Sequence, residues 1–253
     1  MNHYQLEARY RDQGRYFRGV YDPKGLQAIQ EWQATSSFSD LINYRFYQPK
    51  ALTRYLLIAD EFREALTSGT LLDVGSRDAS AQQVIGRPCQ LIDKNNLQLS
   101  SWDWEKEMIP YQDQSFDTVI CLDTLEHIND FHRSFHDLLR VAKKYVIVSL
   151  PNCWRKVFKH MLMGYGMSGS YGLPPEKPMD RHKWFFNTED IEAFLCYQSA
   201  VSVTPYRIAK MAYHMPMTIA RHRIQYPLMR LLLPERHVKN LLTTVVCALL
   251  EKI

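Results

Sequence analysis

The chain has 253 residues, of which 46% are hydrophobic and 23% charged. That composition is ordinary for a globular protein with a sizeable core, and it sets aside intrinsic disorder. A formal net charge of +4 and a pI near 8.7 suit an anionic ligand but fall short of the basic stripe of a dedicated nucleic-acid binder. The five cysteines, Cys89, Cys121, Cys153, Cys196 and Cys247, are scattered without a CxxC pair, so no disulfide framework and no metal site are expected.

The first segment, MNHYQLEARYRDQGRYFRGV, is polar and aromatic and lacks the apolar run of a signal peptide. Residues 1–47 are rich in Tyr, Arg and Gln and are expected to form a helical or irregular extension. Pro49 can open a helix. Leu52, Tyr55, Leu56, Ile58, Ala59 and Phe62 then recur at helical spacing across 51–66, before Ser68-Gly69. A βα rhythm follows, with strands expected at 70–74, 90–92, 118–122 and 145–150 and an amphipathic helix at 131–141. Residues 152–187 carry Gly164, Gly166, Gly169, Gly172, Pro174, Pro175 and Pro178 and read as an irregular, functional insertion. Thr188 can cap a helix running to Tyr197.

The last two strands are expected at 200–206 and 241–249, with a second insertion at about 207–238. Within it, 215–236 mixes Arg221, Arg223, Arg230 and Arg236 with large apolar residues, a pattern that suits packing against the domain or peripheral contact with a membrane. The run 241–250 is about half the length of a bilayer span. These features favour the cytoplasm. The predicted fold is α/β, with a Rossmann-like doubly wound sheet, mostly parallel with an antiparallel last strand. The main domain is 48–253.

In such a sheet, ligands bind beyond the carboxyl ends of the strands. Asp73 with Gly75, Asp93, Asp103 and Asp123 stand at expected strand ends. Asp93 closes a short strand roughly 20 residues after the first glycine turn, where a carboxylate can accept from both hydroxyls of a ribose; it is equally well placed to be a solvated loop residue. The first turn holds Gly75 but no GxGxxG pattern, which argues against a nicotinamide dehydrogenase.

Five pieces then stand in order: Leu71-Leu72-Asp73-Val74-Gly75-Ser76; Leu91-Ile92-Asp93; Asp103-Trp104-Glu105 with Ile109-Pro110-Tyr111-Gln112-Asp113-Gln114-Ser115-Phe116-Asp117; Cys121-Leu122-Asp123-Thr124-Leu125-Glu126-His127-Ile128-Asn129-Asp130; and Arg140 through Asn152. Together, residues 71–152 resemble the core of class I S-adenosylmethionine-dependent methyltransferases, particularly the methyltransferase-11 and methionine-biosynthesis-W-like group. The resemblance implies S-adenosyl-L-methionine as cofactor. It assigns Asp73, Gly75 and Ser76 to the first motif, with Gly75 and Ser76 facing the methionine carboxylate and ribose. It assigns Asp93 to the ribose hydroxyls, Asp103 (or Glu105) with Trp104 to the adenine, and Leu122 and Asp123 to the methionine end. Arg77 stands where the family usually has glycine. Its side chain would point away, pair with the cofactor carboxylate, or block the pocket.

Methyl transfer needs positioning and, for some acceptors, a base. His127 and His182 are the candidates; each is also readable as a packing or capping residue, and Tyr165 and Tyr171 could line a lid. His132 and His136 lie four apart on a predicted helix, yet no third ligand is evident. The acceptor is expected to be a small molecule or a glycan- or lipid-linked intermediate, methylated on oxygen. Alternatives are a catalytically silent methyltransferase-like binding protein, supported by Arg77, and an RNA methyltransferase, for which no Asn/Asp-Pro-Pro-Tyr/Phe motif or accessory module is seen.

Overall fold

The β-branched runs of the chain assemble into one seven-stranded sheet in the order β1-β6-β7-β5-β4-β2-β3. The strands are β1 (Ile42–Asn43), β2 (Leu71–Val74), β3 (Gln90–Ile92), β4 (Phe116–Leu122), β5 (Ala142–Pro151), β6 (Tyr206–His214) and β7 (Val245–Lys252). This computed structural model describes residues 21–37, 41–43, 45, 47, 48, 50–76, 78–93, 102–166, 171–216 and 219–253, with the side chains of 51, 219–223 and 225 outside that description. β7 runs antiparallel to both β5 and β6, and the other pairings are parallel. The doubly wound, mostly parallel sheet with an antiparallel last strand is therefore present as the sequence predicts.

Because side chains alternate across a strand, each strand feeds two cores. Leu72, Val74, Val119, Cys121, Val146 and Val148 pack with Phe135 and Leu138 of α5 (Phe131–Val141) and Ile191 and Leu195 of α7 (Thr188–Val201). Leu71, Ile120, Ile147, Cys247 and Leu249 pack on the other side with Leu57 and Ile58 of α2 (Thr53–Glu61), Ala65 and Leu66 of α3 (Arg63–Leu66), and Ala81 of α4 (Ser80–Ile85). Burial on both faces explains why β4 and β5 read as continuous apolar runs. The helix of the amino-terminal extension, α1 (Pro23–Thr35), lies on α7, where a Cβ on Gly25 would meet the Tyr197 ring at 2.2 Å.

Several boundaries differ from expectation. The helix expected across 51–66 opens as a 3-10 turn (Lys50–Leu52) and breaks at Phe62, whose φ of −123° leaves the helical region while its ring is fully buried. Pro49, the expected helix start, lies outside the described residues. The strand expected at 200–206 is instead the end of α7 and a turn: Val203 is exposed, and the strand begins at the buried Tyr206. β6 thus occupies the start of the stretch read as an insertion. The strand expected at 241–249 begins later, at Val245, because α9 (Glu235–Leu242) buries Val238 and Leu242. The irregular 152–187 segment opens with α6 (Cys153–Leu162), capped by the Asn152 side chain accepting from the Trp154 amide at 3.2 Å. Among the described residues, no helix is long and apolar enough to cross a membrane.

Candidate active site

Strand order reverses between β2 and β4, because β3 lies to one side of β2 and β4 to the other. The crevice at their carboxyl ends is where a doubly wound sheet binds its ligand. Gly75 leaves β2 with φ +79°, a left-handed turn that favours glycine. A Cβ there would sit 2.3 Å from the Thr124 Oγ1 just beyond β4. The Gly75 and Ser76 amides donate to the Ile92 carbonyl at 2.8 and 3.3 Å, which brings Asp93 alongside the glycine turn. The Ser76 side chain is fully buried and donates to the Asp78 carbonyl at 2.8 Å, so its hydroxyl closes the turn. Arg77 lies outside the described residues.

Asp73 is buried beneath this turn. Its Oδ2 accepts from the Tyr55 hydroxyl at 2.8 Å, while Oδ1 has no partner among the described residues. Burial, only partly offset by the Tyr55 hydrogen bond and the nearby Ser76 hydroxyl, pushes its carboxyl up to about 7. The loop after β3 carries Asp103, whose Oδ1 accepts from the Glu105 amide at 3.1 Å and whose Oδ2 pairs with Lys106 at 3.1 Å. Trp104 is expected beside the purine through its backbone or its ring; the ring is buried at 3% exposure, its indole N–H 3.3 Å from Asp137 Oδ2. Glu105, the expected substitute for Asp103, accepts from the Asn129 amide at 3.0 and 3.2 Å and pairs with Lys183. Asp137 anchors the loop from α5. It accepts the Ile109 amide at 2.6 Å and faces Arg140 at 2.8 Å, and Arg140 also donates to the Tyr111 and Ile109 carbonyls.

Leu122 ends β4, and Asp123 follows it with φ +46°. The Ser149 hydroxyl donates to Asp123 Oδ1 at 2.5 Å, and Arg54 pairs with Oδ2. Arg54 is one of the residues lining a cavity of about 620 Å³ at the carboxyl ends of β6 and β5. Its lining combines the cations Lys50, Arg54, Arg155 and Lys159 with the apolar Phe158, Leu162, Met163, Met229 and Leu242. Sequence reasoning missed this cavity because α6, which supplies Arg155, Phe158, Lys159 and Leu162, was read as part of an irregular insertion. The signal was present: Asn152 as cap, then basic and apolar residues at helical spacing.

His127 and His182 come together, with ring centroids 4.7 Å apart. Burial, with the nearby His127 and Lys156 charges, pushes the His182 imidazole down to about 4, so it is neutral at pH 7. Tyr171, expected as a lid residue, has its hydroxyl 2.6 Å from His182 Nδ1, while Tyr165 is exposed. Glu126 joins the two histidines: one ligating atom from each of Glu126, His127 and His182 lies within 4.8 Å of the others. The expectation of no metal-type cluster rested on spacing, and these residues are separated by 55 positions of chain, too far for spacing to show. His132 packs on Trp184 and Phe194, and His136 meets the Ser202 hydroxyl at 3.3 Å; the metal-like spacing of that pair serves packing.

Comparison with known proteins follows the same boundaries. Residues 72–149, from β2 to β5, match the family described as "Methyltransferase domain". A search of curated proteins gives no match. Among solved structures, magnesium protoporphyrin IX methyltransferase from Synechocystis PCC 6803 with bound SAH is 14% identical, with 81% of this chain and 82% of that chain covered at a TM-score of 0.43. An S-adenosylmethionine-dependent methyltransferase from Mesorhizobium loti is 11% identical over 78% and 99% of the two chains, with a TM-score of 0.43. A SAM-dependent methyltransferase from Thermotoga maritima is 12% identical over 79% and 98%, with a TM-score of 0.42.

Proposed function

We propose that this chain, which carries a class I S-adenosylmethionine-dependent methyltransferase domain, transfers the methyl group to oxygen on a small anionic amphiphile, a class that includes lipid-linked intermediates. The observation that carries the acceptor reading is the cavity lined by Arg54, the partner of Asp123, in which cationic and apolar side chains are combined. Such a lining recognises a carboxylate or phosphate attached to an apolar body.

The residues at the β2–β4 crevice fit the cofactor. Asp93 and Asp103 offer acidic acceptors at the end of β3 and in the following loop, and Asp73 holds a buried oxygen under the glycine turn that has no partner among the described residues. We assign Asp93 to the ribose hydroxyls, Asp103 to the adenine amino group, and the Gly75–Ser76 backbone, with Arg77, to the carboxylate end. Leu122 and Asp123 stand where the methionine end meets the acceptor. When bound, S-adenosylmethionine supplies an electrophilic methyl group; the protein positions the acceptor and helps a hydroxyl lose its proton. Glu126, His127 and His182 converge near Asp123 and are the groups for that second task.

We place the enzyme in the cytoplasm, since all five cysteines are free thiols, as a reducing compartment keeps them. Contact with a membrane surface through 215–236 is part of the same reading: Ile224, Leu228, Leu231 and Leu232 of α8 (Ile219–Leu232) are exposed near the cavity wall formed by Met229. The test is transfer of label from methyl-labelled S-adenosylmethionine to a panel of amphiphiles with matched anionic, neutral and cationic head groups. Methylation confined to anionic members supports the proposal. Equal labelling of neutral members, or labelling of RNA alone, overturns it.

A further inference from the structure

We infer that Glu126, His127 and His182 form a binding site for a divalent transition-metal ion that anchors the acceptor's oxygen-bearing group; this deepens the methyltransferase reading and rests on it. The first observation is the convergence of three ligand atoms within 4.8 Å, with Glu126 Oε1 already 3.8 Å from His127 Nε2. Ligands bound at 2.0–2.2 Å to one ion lie about 3–4 Å apart, so a small side-chain adjustment closes the site.

The second observation is independent. Glu126 is only 1% exposed, and its Oε2 has no hydrogen-bond partner among the described residues. A buried carboxylate oxygen left unpaired is costly, and a cation at that point would compensate it. The third concerns the rings. His127 Nδ1 is 3.0 Å from Asp180 Oδ1, and His182 Nδ1 is 2.6 Å from the Tyr171 hydroxyl. The proposed site takes the tautomer in which Nδ1–H faces these partners, which leaves the Nε2 of each ring for the ion. A carboxylate or other acceptor behind a histidine is how metal-binding rings are held in the right tautomer and orientation.

Backbone contacts fix the spacing. The Lys183 amide donates to the Glu126 carbonyl at 2.8 Å, tying the segment that carries His182 to the turn that carries Glu126 and His127. Two imidazoles and one carboxylate suit manganese, iron, cobalt or zinc in the divalent state better than magnesium or calcium. An acceptor oxygen bound to such an ion sheds its proton to water more readily and is held in place for attack. This gives the histidine pair a shared task in place of two competing general bases.

The test uses the full, tag-free chain after chelation and dialysis. Cobalt(II) is titrated by calorimetry, with visible absorption reporting nitrogen and oxygen ligation. Expected are one ion per chain and at least tenfold weaker binding in Glu126→Gln and His182→Gln. Asp180→Asn is expected to weaken binding about tenfold, as outer partners of metal-bound histidines do. His237→Ala, on an exposed face of α9, is expected to bind as wild type. Circular dichroism and S-adenosylhomocysteine binding confirm that each variant is folded. A chain that binds S-adenosylhomocysteine but not cobalt overturns the metal site and leaves the methyltransferase reading standing; so do variants that bind cobalt as wild type. A folded chain that binds neither overturns both.

Discussion

Replacing Gly75 with alanine probes the glycine turn to which we assign the cofactor's carboxylate end. Its φ of +79° lies in the left-handed region, where a residue with a Cβ costs about 1–2 kcal/mol. The new Cβ would also lie 2.3 Å from Thr124 Oγ1 and 2.4 Å from Cγ2, and relieving such overpacking typically costs about 1–3 kcal/mol. The sum is about 2–5 kcal/mol. For a chain of this size each kcal/mol lowers Tm by about 2–4 °C, so a fall of order 10 °C is expected by scanning calorimetry. The move would also displace the Gly75–Ser76 amides from Ile92 and with them Asp93, so affinity for S-adenosylhomocysteine should fall as well. Adding Thr124→Ala removes the two nearest atoms but leaves Thr124 Cβ at 2.8 Å, so the double variant should recover only part of the stability. A Gly75→Ala chain that melts within about 2 °C of wild type, less than 1 kcal/mol, would refute this account of the turn.

Other outcomes follow from the same geometry. Asp137→Ala removes the acceptor shared by the Ile109 amide and Arg140; breaking a buried pair from one side costs about 3–5 kcal/mol, and urea denaturation should show a loss in that range. The buried Asp73 carboxyl, held near 7, binds a proton in the folded chain that the unfolded chain has already released above about pH 4. Stability therefore falls as pH rises from about 4 to 7 through this group and is flat above. Asp73→Asn should flatten that slope, and a Tm difference from wild type that does not change between pH 5 and 8 would contradict it. Charge reversal of Arg155 and Lys159 on the cavity wall should raise KM for an anionic acceptor about tenfold or more, since hydrogen bonds to charged groups contribute about 1.5–3 kcal/mol. An unchanged KM would remove the cavity from acceptor binding.

The central sheet was legible because β2 to β5 are apolar runs closed by Gly, Asp or Pro, and because the five motif pieces stand along them. The same runs placed Asp73, Gly75, Asp93 and Asp123 at one edge of the sheet, where they are found. The amino- and carboxyl-terminal thirds were harder. Val201 and Val203 mimic the alternation of a strand, yet one ends a helix and the other is exposed; the tertiary burial that decides between them is not in the local pattern. Trp104 stands next to Asp103 in a motif piece, but its ring turns inward to Asp137, a partner 33 residues away. The pairing of Arg54 with Asp123 and the meeting of Glu126 and His127 with His182 join distant segments, and no spacing rule reports them.

The most direct test of the cofactor assignment is titration calorimetry of the chain with S-adenosylhomocysteine, repeated on Asp93→Ala. The account predicts micromolar binding by wild type and a loss of about tenfold or more in the variant, the size expected when a carboxylate's hydrogen bonds to two hydroxyls are removed. No binding by the folded wild-type chain, or equal binding by the Asp93→Ala chain, would contradict it.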